Sequence, residues 1–412
     1  MARTDQPSRS VRPGRRTKLT LTVRSAEVMM RSVKNNLREA EDSVFAPSAT
    51  AEGSPLSAEA ATDSGTATSP SGSSAREREL LLAAQKGDGD AFGRLVDPFQ
   101  RELQAHCYRM LGSYADAEDA LQETLLRAWR SLARFEGRSS LRSWLYRIAT
   151  NACLRAIERR PKRVLPMDYA PAADPHGARG GPVNDPVWLE PYPDASLGLE
   201  GPAGPDARYE QREGIELAFI AALQYLPARQ RAVLILRDVL GFSARETAAV
   251  LETTPVSIDS VLQRAHKSVD ERLPSQAQQQ TLRLLGDDDL GRLIERYVAA
   301  WERNDIDALV SMLAQDARIA MPPRPTWYSG REQVAAFVRR YLLTERTRWR
   351  LVPTSANGQP AAAAYLWVEQ AGAFLPDCLH VLTLRGGEIE EIMAFRSPEV
   401  FPRFDLPASI AA

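Results

Sequence analysis

Apolar residues recur at helical spacing over residues 76–163. Leu121, Leu125 and Ala128, for example, fall on one face of a helix with a period near 3.6. Short breaks that contain Gly and Ser, such as 137–140, divide the stretch into several helices. The pattern predicts a compact all-helical domain over 76–163.

A second helical block covers residues 209–272 and contains the stretch FSARETAAVLETTPVSIDSVLQRAHKSV. Ser243, followed three positions later by Glu246, forms a capping box that starts one helix. Thr254 starts the next helix as its cap, and Pro255 suits the first turn because no partner is needed there for the missing N–H. The block therefore predicts two helices joined by a short turn.

The second of these helices is amphipathic, with Ile258, Leu262, Ala265 and Val269 on one face. The opposite face carries side chains that can hydrogen-bond to base edges and phosphates in a major groove: Ser257, Ser260, Gln263, Arg264 and Lys267. This arrangement is typical of a DNA-binding helix-turn-helix. An ordinary helical hairpin with a solvated polar face has the same pattern, so this segment alone leaves both interpretations open.

The pattern changes again over residues 284–404. One amphipathic helix is followed by short runs in which apolar and polar residues alternate at period two, as they do in strands. In one run Arg346, Arg348 and Arg350 share a face, whereas Trp349 falls on the other. We predict an α+β domain here.

Two stretches have no such periodicity. Residues 1–75 end in a Ser/Ala/Thr/Gly/Pro-rich sequence, and this composition predicts a disordered tail. Residues 164–208 are too rich in Pro and Gly for a long helix or a central strand. They predict an extended linker with Trp188 and Tyr192 as aromatic anchors.

The total charge is close to zero, because 52 basic and 53 acidic residues among 412 give a net charge of −1. Taken alone, this total argues against a nucleic-acid-binding protein. It arises, however, because a strongly basic segment and a strongly acidic segment cancel each other. Residues 127–163 hold 11 basic and 2 acidic residues, whereas residues 164–210 hold 2 basic and 8 acidic residues. The basic stretch suits contact with a single-stranded nucleic-acid backbone.

Cysteine and histidine usage excludes several classes of protein. Three widely spaced cysteines, Cys107, Cys153 and Cys378, cannot form a disulfide framework or a four-thiolate zinc site. The four histidines lack metal-binding spacing, and no apolar run approaches the roughly 20 residues of a membrane helix. We expect a cytoplasmic protein with no metal, no cofactor and no membrane contact.

The two helical blocks together resemble a known family. The stretch DAEDALQETLLRAWRSLARFEGRSSLRSWLYRIATNACLRAIERR resembles region 2 of bacterial sigma-70 superfamily factors of the extracytoplasmic-function (ECF) group. LPARQRAVLILRDVLGFSARETAAVL, with the helix after it, resembles their region 4. The resemblance implies a non-enzymatic promoter-recognition subunit of RNA polymerase. Its partners would be promoter DNA and core polymerase, through the coiled coil of the largest subunit and the flap of the second-largest subunit.

The resemblance also implies roles for particular residues. Those matching the part that docks on core polymerase are Asp116, Glu118, Asp119, Gln122, Glu123 and Trp129. Those matching the loop and helix that open the minus-10 element are Arg138, Ser139, Ser140, Arg142, Trp144, Arg147 and Asn151. Those matching the minus-35 contact are Thr254, Ser257, Ser260, Gln263, Arg264 and Lys267.

Some of these assignments have structural alternatives. Trp129 and Trp144 could both be core residues, and Trp144 falls in step with Leu141 and Leu145. Asp259 stands in the recognition helix where relatives often have Lys or Arg, which leaves the minus-35 sequence preference open. The acidic linker could occupy a positively charged RNA path as a nucleic-acid mimic, or it could be a solvated spacer.

The last domain resembles the SnoaL-like, ketosteroid-isomerase-like fold, in which a helix pair and a curved antiparallel sheet form a cone. A candidate ligand pocket would be lined by Trp301, Met321, Trp327, Tyr328, Phe337, Trp367, Asp377 and His380. The aromatic residues among them could equally be plain core. The predicted fold class is thus multidomain: a disordered tail, two all-α domains and an α+β cone.

Asp377 and His380 are the candidate acid–base pair in that domain. Being three positions apart in a predicted strand, they would point to opposite faces unless a bulge intervened. We therefore assign no catalytic residue, and expect a regulatory domain that senses a small molecule or contacts the sigma core. The alternative is a bifunctional protein whose last domain is an isomerase- or cyclase-like enzyme acting on a small apolar molecule.

Overall fold

A computed structural model describes most of the chain after its N-terminal segment. The described residues are 72–177, 181–183, 188–197, 212, 214–273 and 277–412. Residues 1–71 of the predicted tail lie outside them, whereas residues 72–75, also predicted to be disordered, belong to the first helix.

The first domain is all-helical, as predicted. Its helices are α1 (Gly72–Gln85), α2 (Gly89–Leu111), α3 (Tyr114–Ser131) and α4 (Leu141–Arg159). Asp88, Ser113 and Ser140 start α2, α3 and α4, because each side chain accepts a hydrogen bond from a backbone N–H of the first turn. Gly112 ends α2 with a φ of 69°, which turns the chain directly into α3.

The linker contains no long helix in its described part. It forms one helical turn, α5 (Pro166–Tyr169), and a 3₁₀ turn at Asp194–Leu197. Trp188 and Tyr192 are both buried, so the two aromatic residues anchor the linker as predicted.

From residue 214 onward, the second helical domain has four helices and one π-helical turn. They are α6 (Leu217–Gln224), α7 (Ala228–Leu234), the π turn (Ile235–Val239), α8 (Ala244–Leu251) and α9 (Pro255–Asp270). The capping box of Ser243 and Glu246 is present at α8, and Thr254 caps α9. Ile258, Leu262, Ala265 and Val269 are buried, so both predicted helices and the predicted buried face are confirmed.

The C-terminal domain is α+β. Its helices are α10 (Gln278–Leu285), α11 (Asp287–Glu302), α12 (Ile306–Ser311) and α13 (Arg331–Tyr341). Its strands are β1 (Leu313–Ala320), β2 (Trp327–Ser329), β3 (Trp349–Ala356), β4 (Gln359–Val368), β5 (Ala373–Arg385) and β6 (Glu388–Phe395). They form one sheet in the order β2-β1-β6-β5-β4-β3, antiparallel except for the parallel pair β1–β6.

Helix α10 begins between the predicted second helical block, which ends at residue 272, and the predicted α+β domain, which begins at residue 284, and the sequence did not predict it. It starts where the Glu216 carboxylate accepts hydrogen bonds from the backbone N–H groups of Gln278 and Gln279, at 3.4 and 2.9 Å. A residue about 60 positions earlier thus caps this helix, and local spacing could not show it.

The sheet is buried on both faces in its centre. On β4, Ala362 and Ala364 pack with the helices of the C-terminal domain. Ala363 and Tyr365 belong instead to the hydrophobic cluster that includes both helical domains and the C-terminal turn Pro398–Phe404. One face of the sheet therefore packs in the core of the C-terminal domain itself, and the other face packs against the two helical domains.

None of the described helices combines the length and the hydrophobicity needed to cross a bilayer. Among the same residues, no three His, Cys, Asp or Glu side chains are grouped so that they could hold a metal ion.

Candidate nucleic-acid interface

Helix α9 presents its polar face to solvent. Of the side chains assigned to minus-35 contact, Ser257 is half-buried, and the exposed ones are Thr254, Ser260, Gln263, Arg264 and Lys267. Neither Arg264 nor Lys267 forms an ion pair with any residue that the structure describes. The free positive charges and hydroxyl groups of this face suit a DNA major groove.

The loop before α4 and the helix itself form the second candidate DNA surface. Arg138, Ser139 and Arg147 are exposed, and Asn151 is half-buried. Ser140 also caps α4, because its hydroxyl accepts a hydrogen bond from the N–H of Ser143 at 3.1 Å. This part of the predicted minus-10 set is accessible.

Two members of the minus-10 set are less accessible: Arg142 is half-buried and Trp144 is buried. The Arg142 guanidinium lies 3.2 Å from the Glu102 carboxylate and 4.9 Å from the ring centre of Phe242. Trp144 is buried, with its ring centre 5.0 Å from that of Phe135, as the core alternative for this residue requires. Because Phe242 precedes α8, and α8 packs against α4, the second helical domain covers part of the minus-10 surface.

The residues assigned to polymerase docking lie mostly on one exposed side of α3. Glu118, Asp119 and Gln122 are exposed, whereas Glu123 is half-buried beside Arg127 and Arg155, at 2.5 and 3.7 Å. A further member, Trp129, is half-buried, with its ring centre 5.1 Å from that of Phe92.

Asp116 differs from the rest of this set because it is buried. Its carboxylate pairs with Arg163 at 2.6 Å and with Arg160. In this arrangement Asp116 joins α3 to the segment after α4 and is not available to a partner.

A turn between β3 and β4 connects all the domains. Asn357, at its tip, has no exposed surface and a φ of 56°. Its side chain accepts the N–H of Tyr192 at 2.8 Å, and donates to the Tyr108 hydroxyl at 2.8 Å and to the Ile215 carbonyl at 2.7 Å. One side chain of the C-terminal domain thus bonds to the first helical domain, to the linker and to the segment entering the second. We call residues 356–359 the Asn357 turn.

The neighbours of Asn357 add to this junction. Gly358 donates its N–H to Asp194 at 2.7 Å, and its carbonyl accepts from the Gln279 side chain at 2.7 Å. Gln359 accepts the N–H of Leu217 at 3.1 Å. A Cβ at position 358 would lie 2.7 Å from the Cβ of Arg212, so only glycine fits there. Sequence reasoning missed this turn, although the Asn-Gly pair between two strands was the available signal for a hairpin.

The linker carboxylates are engaged at the same junction. Glu190 accepts the N–H of Tyr114 at 3.1 Å and pairs with Arg403 at 3.1 Å. Asp194 is buried, and burial raises the pKa of its carboxyl group. In this arrangement both carboxylates hold domains together, so at these two positions the linker is not a solvated spacer.

The structure does not bring the candidate pocket residues into one cavity. One group lies in the hydrophobic core that the C-terminal domain forms with its own helices: Trp301, Met321, Tyr328 and Phe337. Trp327 and Trp367 lie against the other cluster, and the Trp327 indole donates to the linker carbonyl of Ala170 at 2.7 Å. The aromatic set is therefore divided between two sides of the sheet.

Asp377 and His380 are also engaged separately. A bulge in the β4–β5 pairing falls at Asp377, but this carboxylate pairs with Arg396 at 2.6 Å. The His380 ring lies 2.9 Å from the Tyr297 hydroxyl and 3.2 Å from the Cys378 sulfur. Burial, with a smaller contribution from Arg396, lowers the pKa of His380 to about 3, so its ring is neutral at pH 7.

Three family models match the chain, and together they cover all three folded parts. Residues 95–163 match Sigma-70 region 2, residues 216–269 match Sigma-70, region 4, and residues 294–392 match the SnoaL-like domain. We use "region 2" and "region 4" below for the first and second helical domains.

Proteins with similar sequences are named RNA polymerase sigma factors. The ECF RNA polymerase sigma factor SigG of Mycobacterium tuberculosis is 43% identical over 332 residues, which cover 79% of this chain and 86% of SigG. The RNA polymerase sigma-H factor of Pseudomonas aeruginosa is 28% identical over 198 residues, 48% of this chain and 94% of that protein. The crystal structure of the M. tuberculosis ECF sigma factor SigJ aligns with a TM-score of 0.47 at 22% identity, covering 76% of this chain and 99% of SigJ. From the SigG match and the three family models, the chain belongs to the ECF RNA polymerase sigma factors and carries a SnoaL-like C-terminal domain.

Proposed function

We propose that this sigma factor directs core RNA polymerase to promoters through two separate DNA contacts, and that its C-terminal domain restrains them. Helix α9 would enter the major groove at the minus-35 element. The 137–140 loop and α4 would hold the unpaired minus-10 strand. The exposed side of α3 would dock on the coiled coil of the largest subunit, and region 4 on the flap of the second-largest subunit.

The packing of α8 on α4 supports a closed state in which the two contacts cannot be made together. The minus-10 and minus-35 elements are about 25 base pairs apart, which is roughly 85 Å along B-DNA at 3.4 Å per pair. Two domains in direct contact cannot span that distance. Region 4 must therefore leave region 2 before both promoter elements are bound.

The Asn357 turn is the observation that carries the proposed role of the C-terminal domain. Its three side-chain hydrogen bonds end on region 2, the linker and the entry to region 4. Each bond contributes about 1 kcal/mol. Without the Asn357 side chain, its three partners would lack a hydrogen bond wherever water does not enter the junction. The turn would thus favour the closed state by roughly 3 kcal/mol, or about 100-fold in population.

The same geometry favours restraint over catalysis in the C-terminal domain. His380 is buried with both ring nitrogens near Tyr297 and Cys378, and Asp377 pairs with Arg396. No hydrogen bond joins Asp377 to His380 among the described residues. We assign these groups to the core of the domain rather than to a reaction.

The test is promoter-directed transcription by the full chain with core polymerase, at a limiting amount of sigma factor. Asn357→Gly keeps a backbone that tolerates a φ of 56° and removes all three side-chain bonds. We expect transcript yield to rise by at least about tenfold, up to the roughly 100-fold limit set by the three bonds.

Asn304→Gly is the matched control. Asn304 also has a positive φ, of 53°, and its amide donates to the carbonyls of Thr344 and Thr347 within the C-terminal domain. This change weakens the domain without touching the junction, so transcript yield should stay at the wild-type level. Equal yields from wild type and Asn357→Gly would contradict the restraining role, and no transcript from any of the three proteins would contradict the sigma activity itself.

A further inference from the structure

A cleft between region 2 and region 4 carries an excess of positive charge. It has a volume of about 430 Å³, within the range of small-molecule sites, and lies between the end of α4 and helices α6 and α7. Its charged lining consists of four cations and one carboxylate: Arg160, Lys162, Arg163, Arg231 and Asp116. The lining residues therefore carry a net charge of +3, and two carboxylates beside the cleft offset part of it: Asp119, 3.8 Å from Arg160, and Glu190, 3.6 Å from Arg163.

The single carboxylate already serves two of the cations. Asp116 pairs with Arg163 at 2.6 Å and also with Arg160. Lys162 lies over the ring of Tyr225 and has no carboxylate within 4 Å among the residues that the structure describes. In the described part of the chain, Lys162 thus forms no ion pair.

Two residues that line this cleft, Gln224 and Arg231, also carry unsatisfied donors that are buried beneath its surface. Arg231 Nε and Gln224 Nε2 find no acceptor in the described part of the chain, although each residue is only 4% exposed. The other guanidinium nitrogens of Arg231 are used by the carbonyls of Met110, Gln224 and Leu226 and by the Gln224 side chain. Buried donors without partners are rare in folded proteins, and here they lie behind a lining that is already positively charged.

The ionisation of the cations agrees with a site that lacks negative charge. Burial, together with the nearby charges of Arg272 and Arg231, lowers the pKa of Lys162 despite an opposing contribution from Asp168. Burial lowers the pKa of Arg231 to about 10, so it remains protonated at neutral pH. A bound anion would reverse both effects.

A phosphate group matches these features better than a neutral molecule does. It supplies about two negative charges and three strong acceptor oxygens, and Lys and Arg are its usual partners. We propose that the cleft between region 2 and region 4 binds a small phosphate-bearing molecule, held by the exposed cations Lys162 and Arg160. Because residues from both domains line the cleft, the bound molecule would stabilise their contact.

Calorimetric titration of the full chain with inorganic pyrophosphate, at about 0.15 M salt to screen surface charge, tests this site. We expect saturable binding of one molecule per chain. Lys162→Gln, at an exposed position where folding should be unaffected, should raise the Kd by about tenfold or more.

Arg159→Gln is the matched control, because it removes the same charge from an exposed residue three positions away that does not line the cleft. Its Kd should equal that of the wild type. An equal loss in both variants would show binding by general surface charge and overturn the proposal, as would the absence of saturable binding. Lys162-dependent binding of a single-stranded oligonucleotide, without binding of pyrophosphate, would also overturn it and assign the cleft to nucleic acid.

Discussion

The two helices assigned to DNA contact differ in what covers them. On α9, Arg264 and Lys267 extend into solvent from a helix whose other face is buried. On α4, Arg142 lies between Glu102 and the ring of Phe242, under the second helical domain. The same chain thus presents one candidate DNA surface and covers part of the other.

If α4 and α9 hold DNA as proposed, this difference means that closure would act mainly on the minus-10 step and less on the minus-35 contact. A duplex could approach α9 in the closed state, because nothing in the described chain covers its polar face. Capture of unpaired bases by α4 requires region 4 to move away. Restraint of this kind would leave a promoter search possible and withhold strand opening.

Removing the ring that covers α4 should have the largest effect on this comparison. Phe242 is buried, 5.1 Å from the Tyr146 ring and 4.9 Å from the Arg142 guanidinium. Phe242→Ala should cost about 3 kcal/mol of packing. Amide exchange of peptides covering α4 should then accelerate by up to about 100-fold in mass-spectrometric measurements, since 1.4 kcal/mol corresponds to a factor of ten.

Phe337→Ala provides the control for this measurement. Phe337 is equally buried but stacks on Tyr328 inside the C-terminal domain. It should lower the stability of that domain and leave α4 exchange unchanged. Unchanged α4 exchange in Phe242→Ala would mean that region 4 does not protect this helix.

A smaller effect is expected for helix α9, whose polar face is exposed, and it concerns the affinity for DNA. Arg264→Gln removes an exposed guanidinium from α9, and loss of one good base contact costs about 1–3 kcal/mol, or roughly tenfold in affinity. The measurement is binding of the polymerase–sigma complex to promoter duplex. Arg296→Gln, an exposed charge on α11, should leave the affinity unchanged. Equal losses in both variants would show that α9 contributes only general charge.

The sequence predicted features that depend on neighbours within a turn or two of the chain. The caps of α8 and α9 follow from hydroxyl and carboxylate side chains at fixed spacing, and both are present. The buried face of α9 follows from a helical repeat. Trp144 is buried together with Leu141 and Leu145, which lie on the same face of α4. Helical spacing therefore predicted the burial of Trp144, whereas the family resemblance implied a contact with DNA.

Contacts between distant segments could not be predicted in this way. The Asn-Gly pair is a signal for a hairpin, yet Asn357 bonds to Tyr108, which is 249 positions away. Asp116 was assigned to polymerase docking, but an arginine 47 positions later buries it. These placements depend on how the domains pack, and a single sequence contains no local pattern for that.

The smallest expected effect concerns pH and the closed state. Glu391, on β6, lines a cavity of about 560 Å³ between the sheet, the linker and α6. Burial raises the pKa of its carboxyl group to about 7; Arg318, 3.2 Å away, opposes the rise, and the charges of Glu390 and Asp168 add to it. Since the unfolded value is near 4.5, the folded chain binds this proton more tightly than the unfolded chain does.

The contribution of Glu391 to the free energy of unfolding is therefore fully present below pH 4.5, and it is lost as the pH rises through about 7. Between pH 6 and pH 8 the loss should be about 1 kcal/mol. Glu391→Gln removes the titration, so its melting temperature should fall less over this interval than that of the wild type. A parallel fall in both proteins would show that Glu391 titrates as it does in the unfolded chain. A smaller fall in Glu391→Gln than in the wild type would show that loss of the Glu391 proton destabilises the folded chain over this interval.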